Sequence, residues 1–153
     1  MGEGNEAMKI TMIESPFRGR GDSEIMRSAD AAANRAYAYR ALHHSLQIGE
    51  APFASHILYP LVLNDNIPEQ RTLGMRAGFE FLKCMEQYAF YTDRGWSDGM
   101  IDALEKAALH KKEIVLRSFE GAALYPPLTT FEPEEWDYLA QVVRFEYVRS
   151  SST

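Results

Sequence analysis

The sequence predicts a single three-layer α/β domain, with a parallel sheet between helices. Short apolar runs rich in β-branched and aromatic residues recur at 8–15, 52–59, 87–92 and 113–118. Helical stretches separate them, and strands alternating with helices imply right-handed crossovers and a parallel sheet with helices on both faces. The chain has 153 residues, 46% of them apolar and 25% charged. That suits one domain, and a chain of this size buries roughly two-thirds of its unfolded surface.

The first run, MKITMIES, ends at Pro16 and reads as a central strand. The loop PFRGRGDS follows it. An alanine-rich helix is predicted from Ser23 to Ile48, with Asp22 or Ser23 as N-cap and Gly49 as stop. PFASHILY (52–59) reads as the second strand. Pro68 opens a helix to about Met85, with Leu73, Phe79 and Leu82 on its apolar side. QYAFYT (87–92) is the third strand, DRGW a short loop, and Ser97 to His110 a helix whose core stripe is Met100, Ile101, Leu104 and Ala108. EIVLRS (113–118) is the fourth strand. Residues 1–7 are read as disordered and 8–149 as the domain, with 121–149 as a C-terminal extension. In it, GAALYPPLTTF is a proline-rich loop and Pro133 to Tyr147 a last helix that Thr130 could cap. Its aromatics, Trp136, Tyr138, Phe145 and Tyr147, suit a subunit contact or docking on the domain's own sheet.

The net charge is −6, which argues against binding a nucleic-acid polymer through its backbone. A small phosphorylated ligand needs only a few local arginines. No apolar run nears the roughly 20 residues of a membrane helix, and the N-terminus lacks a signal-peptide pattern. The one cysteine, Cys84, is read as a core residue, and its usage fits a cytoplasmic setting. The histidine and acidic spacings suggest no metal, and no cofactor is expected.

Ligands of open parallel sheets bind beyond the carboxyl ends of the strands, so the loops there hold the candidate residues. After the first strand come Ser15, Phe17, Arg18, Gly19 and Arg20. Glycines allow close backbone approach, and the arginines offer charge-assisted bonds to phosphate or carboxylate. The plainer reading is a solvated loop. After the third strand come Asp93, Trp96, Ser97, Gly99 and Met100. Ser97 suits a helix N-cap, whose exposed N–H groups favour anions. Trp96 would stack on a ring or pack in the core. Asp93 is the carboxylate best placed for acid–base work, or a turn residue. His56 is read at the end of a strand, as a ligand contact or a satisfied buried histidine.

Three stretches carry a resemblance: ESPFRGRGD, NRAYAYRALHHSLQIGEAPFASH and YTDRGWSDGMIDALEKA. Their order and spacing resemble the nucleoside 2-deoxyribosyltransferase-like superfamily, in particular the small deoxynucleoside-monophosphate N-glycosidases and an uncharacterised, often phage-encoded family. The resemblance implies a Rossmann-like or flavodoxin-like fold and a nucleotide pocket formed by Arg18, Gly19, Arg20, Ser97 and Gly99. It also implies a homo-oligomer whose neighbouring subunits complete the pockets. In those enzymes a helix-borne glutamate attacks the anomeric carbon. Ala103 stands in that place here. The resemblance therefore implies a binder of a nucleoside, nucleotide or ADP-ribose-type molecule, one that would sequester a nucleotide signal. The alternative is an active N-glycosidase or deoxyribosyltransferase using a displaced carboxylate, with Asp93 and Glu105 as the candidates. The third possibility is an interaction protein with a vestigial pocket.

Overall fold

The structure is a computed structural model that describes residues 6–119 and 129–131. Four parallel strands form the sheet: β1 (Ile10–Glu14), β2 (Ala51–Phe53), β3 (Gln87–Tyr91) and β4 (Glu113–Arg117). A fifth strand, β5 (Thr129–Phe131), pairs antiparallel with β4 at one edge. The order is β2-β1-β3-β4-β5. Connections leave β1 first toward β2 and then back across it to β3. This reversal opens a crevice between the carboxyl ends of β1 and β3, the usual ligand position in such sheets.

Helix α1 (Glu24–Gln47) covers one face. Ser23 caps it, its hydroxyl accepting from the Met26 N–H, and Gly49 at φ +89° follows its end. Only Asn34, Tyr37, Ala38, Ala41 and Ser45 are buried, a narrow stripe at helical spacing. It packs on Ile13, Ala89 and Tyr91. Helix α4 (Asp98–Leu109) covers the other face, burying Met100, Ile101, Ala103, Leu104 and Ala107 against Met12, Phe90, Ile114 and Leu116. Successive strand residues point to opposite faces, so even-numbered residues of β1 and β3 face α4 and odd-numbered ones face α1.

Several predicted elements change on contact with the fold. The second strand stops at Phe53. Residues 55–58 form a short helix, α2 (Ser55–Leu58), continued by a 3₁₀ turn at Tyr59–Leu61. An apolar run this short suits a strand or a buried helical turn equally well. His56 accordingly sits on a helix. The helix opened by Pro68, α3 (Pro68–Glu80), tightens to a 3₁₀ turn at Phe81–Lys83. Leu73 is exposed rather than core. The inward side carries Gly74 and Gly78, where an added Cβ would meet Leu63 at 3.3 Å and the Ser55 hydroxyl at 3.0 Å. Close approach of backbone, not an apolar stripe, docks this helix. Cys84 is exposed, because the chain has left the helix before it and the inward positions are Leu82 and Met85. Thr129–Phe131 is a strand where a loop was expected, and Thr130 pairs with Val115 rather than standing outside the sheet as a helix cap. Of the predicted disordered start at 1–7, residues 1–5 lie outside the described residues, as do the helix at 133–147 and Trp136, Tyr138, Phe145 and Tyr147. Among the described residues no helix is long and apolar enough to cross a membrane.

The α1 face also holds a buried ion pair. Arg117 donates to both Glu50 oxygens, at 2.9 and 2.6 Å. Ser45 and Gln87 donate to the same carboxylate, at 2.6 and 2.7 Å. Burial pushes the Glu50 carboxyl up, but these hydrogen bonds outweigh it and hold it at about 2. Truncating one partner of such a pair typically costs about 3–5 kcal/mol, because the other charge stays buried. Glu50→Ala should lose stability on that scale in urea denaturation, whereas Glu50→Leu with Arg117→Met should lose much less. Since the folded value lies below the unfolded one, the pair's contribution should fade as pH falls from about 4.5 toward 2.

Candidate functional site

A cavity of about 370 Å³ occupies the crevice at the carboxyl ends of β1 and β3. Its walls come from the end of β1 and the loop after it, from α2 and the turn that follows, from α3, and from the start of α4.

The loop after β1 is shaped by its contact with α1. An added Cβ at Gly19 would lie 1.8 Å from the Arg27 carbonyl oxygen, so only glycine allows this approach. Asn34, buried on α1, donates to the carbonyls of Phe17 and Arg18 at 3.5 and 3.1 Å. Its own amide oxygen accepts from Arg94 Nε at 2.7 Å. Asp30 accepts from the Arg20 N–H at 2.8 Å and from Arg94 Nη2 at 2.6 Å. One turn of α1 thus ties the loop after β1 to the loop after β3. Arg20 closes the link, its guanidinium donating to the Trp96 carbonyl at 2.6 Å.

Most of the sequence-derived candidates meet here. Ser15, Phe17, Arg18, Gly19, Arg20, His56, Ser97, Gly99 and Met100 all line the cavity, and so does Ala103. The Ser97 hydroxyl accepts from the Met100 N–H at 3.2 Å, as an N-cap does. Ser15 and His56 Nε2 are 2.7 Å apart. Burial lowers the His56 ring to about 4, so it is neutral at pH 7.

The others lie elsewhere. Trp96 is buried in the α4-side core, stacked on Phe90 with ring centroids 5.3 Å apart. Asp93 belongs to the α1 side of the sheet. It accepts from the Tyr37 and Ser118 hydroxyls, both at 2.5 Å, and from the Phe119 N–H. That bonding ties β3 to the end of β4 and away from the cavity. Glu105 is exposed on α4 and does not line the cavity. Neither carboxylate is placed to meet a molecule in the crevice.

Sequence reading passed over five contributors. Glu14, the last residue of β1, lines the cavity with Tyr88 of β3. Burial with no cation beside it raises the Glu14 carboxyl to about 8. Gly74 and Gly78 admit α3 to the wall, and α3 brings Arg71. Arg18 hydrogen-bonds the Asp65 carbonyl and the Asn66 side chain, and Arg20 is committed to Trp96. The Arg71 guanidinium has no partner among the described residues. A pair of glycines four apart on a helix was the available signal for α3, since it marks a face that packs closely. With Glu14 protonated, three guanidinium groups (Arg18, Arg20, Arg71) face two carboxylates (Asp65, Asp98) around the cavity. Among the described residues no group of acidic, histidine or cysteine side chains is arranged to hold a metal.

The fold and this crevice mark the chain as an open α/β protein with a small-molecule-sized site at its strand-order reversal. Residues 9–117 match the family model DUF7768, a domain of unknown function, and the chain belongs to that family. No curated protein matches the sequence.

Two cavity groups set opposing pH dependences. Between about 4.5 and 8 the folded protein keeps the Glu14 proton that the unfolded chain has lost, so stability falls as pH rises through that window. Between about 4 and 6.5 the unfolded chain binds a proton at His56 that the folded protein refuses, so stability falls as pH drops. The two oppose one another below 6.5, and Glu14 acts alone above it. The thermal midpoint should therefore decline from pH 6.5 to 8.5, and Glu14→Gln should flatten the decline, as read by differential scanning calorimetry.

Proposed function

We propose that the protein binds a nucleoside or nucleotide in this cavity and does not cut its glycosidic bond. One observation carries the reading: the Arg18–Arg20 loop and the Ser97 start of α4 line one cavity at the strand-order reversal. Helix N-termini offer N–H groups to anions, and guanidinium groups add charge-assisted bonds. Apolar walls at Met75, Phe79 and Met100 suit a flat ring. The excess of one guanidinium over the carboxylates favours a ligand with a small negative charge. A volume near the lower end of ligand sites, roughly 300–1,000 Å³, favours a mononucleotide over a dinucleotide-sized ADP-ribose.

Ala103 lines the cavity and carries no nucleophile. In the superfamily the sequence resembles, covalent cleavage needs an attacking carboxylate at this place. The binder reading therefore stands ahead of the glycosidase reading, which would have to draw on Glu14 or Asp98 rather than Asp93 or Glu105. Sequestration of a nucleotide in a cytoplasmic setting, by a homo-oligomer and in a phage context, extends the same proposal.

Isothermal titration with 2′-deoxyadenosine 5′-monophosphate and 2′-deoxyadenosine tests it. Losing a charge-assisted hydrogen bond costs about 1.5–3 kcal/mol, roughly ten- to a hundredfold in affinity. Arg71→Ala should weaken the monophosphate on that scale and leave the nucleoside within about threefold. Equal losses for both would place the phosphate elsewhere, and no binding of either would favour a vestigial pocket. The unmodified protein should leave 2′-deoxynucleosides and their monophosphates intact by chromatography. Robust turnover would overturn the binder reading. Gain of cleavage by Ala103→Glu would mark an inherited site that had lost its nucleophile.

A further inference from the structure

Two polar side chains that line the cavity have no partner among the described residues. Strands β1 and β3 are adjacent and parallel, with Met12 opposite Tyr88 and Glu14 opposite Phe90. Glu14 and Tyr88 are therefore diagonal neighbours on the face that meets α4, and both line the cavity. Neither makes a hydrogen bond or ion pair with any described residue. The charged groups around them are engaged elsewhere or stand apart. Arg20 serves the Trp96 carbonyl, and Arg18 serves Asp65 and Asn66. His56 on α2 bonds Ser15, while Arg71 on α3 and Asp98 on α4 make no ion pair with Glu14.

Glu14 is half-buried at the end of β1, and with Tyr88 it opens on the cavity. No hydrogen bond or ion pair to a described residue ties either side chain to a structural role. Whatever fills the cavity meets both, and a ligand with matching polar groups gives them the partners that the fold does not.

We propose that Glu14 and Tyr88 read the edge of an uncharged planar heterocycle that presents a hydrogen-bond donor beside an acceptor, making this wall the base-recognition end of the cavity. The inference rests on the nucleotide reading above and goes further, assigning the recognition of the base to two residues. The carboxyl held near 8 by burial is neutral at pH 7, so it offers an O–H donor and a carbonyl acceptor together. The Tyr88 phenol, also raised by burial, remains a donor throughout this range. An amino group beside a ring nitrogen, as in adenine or cytosine, meets the neutral carboxyl with two bonds. An ionised carboxylate only accepts and would meet that edge with one.

Calorimetry on the full chain tests this with four probes: deoxyadenosine monophosphate, deoxycytidine monophosphate, the N6,N6-dimethyl form of the former, and 2-deoxyribose 5-phosphate. Measurements at pH 7.0 and 9.0 keep the phosphate doubly ionised and leave the bases untitrated. The unmodified protein should bind at least one mononucleotide tenfold or more tightly than the sugar phosphate at pH 7.0. It should lose severalfold by pH 9.0. Glu14→Gln, which keeps a donor and an acceptor, should bind within about threefold of the unmodified protein at pH 7.0 and lose the pH dependence. Glu14→Leu should lose tenfold or more for the mononucleotide and leave the sugar phosphate unchanged. Tyr88→Phe should lose a few-fold, and dimethylation should weaken the adenine nucleotide. If mononucleotides bind with no pH dependence and Glu14→Leu matches the unmodified protein, the inference falls while nucleotide binding stands. Equal affinity for sugar phosphate and mononucleotide also overturns it. If none of the probes binds, the nucleotide reading itself falls. Should Glu14→Leu not fold, Glu14→Gln and the dimethylated nucleotide decide the matter.

Discussion

The site depends on one turn of α1 holding two loops at once. Asn34 and Asp30 stand four residues apart on the same side of the helix, and between them they bond the backbone after β1 and the Arg94 side chain after β3. Gly19 makes the arrangement possible, because any side chain there would strike the helix backbone. Without this clamp, the chain leaving β1 would have no reason to fold back over the sheet end, and Arg20 would not reach the Trp96 carbonyl. The cavity is therefore a consequence of polar contacts on the far side of the loop, outside the space where a ligand would sit.

The two faces of the sheet divide the labour. Toward α1 lie polar groups that bond one another: Glu50 with Arg117, and Asp93 with Tyr37 and Ser118. Toward α4 lie an apolar core and, at its open end, Glu14 and Tyr88, which bond no described residue. Buried polar groups that bond one another fix a fold. Those left unbonded in a cavity are the ones free to bind something else. The contrast separates Asp93, which looked suited to chemistry in the sequence, from Glu14, which looked like the charged end of a strand.

What the sequence revealed follows from local rules. Ser23, Gly49 and Ser97 mark helix ends through capping and backbone preference, and the structure keeps those ends within a residue or so. The four parallel strands were legible as apolar runs between helices. The run 52–59 misled because periodicity over so few residues does not distinguish strand from helix. Leu73 and Cys84 misled because α3 docks through glycines, which carry no hydrophobic signal. β5 was hidden by two prolines before it and by its shortness. The loop residues of the cavity were visible as glycine, arginine and a serine cap. Arg71, Glu14 and Tyr88 were not, because their place depends on how distant segments come together rather than on neighbours along the chain.

The strand order also sets a schedule for assembly. β1 leaves the ribosome first yet needs β3, whose pairing residues lie 76 positions later, as in Thr11 with Gln87. Its other neighbour, β2, offers only three residues. Pairings of such separation carry a large loop-closure cost before any contact rewards them, which slows folding. Through that interval the Met12–Ile13 stretch is an unsatisfied apolar edge, and Glu14 remains hydrated and ionised. The carboxyl takes up its proton only when β3 and α4 close over it. Docking of the last core elements is then coupled to proton uptake at one residue, so the late step of folding should be faster in mildly acidic solution than in alkaline solution.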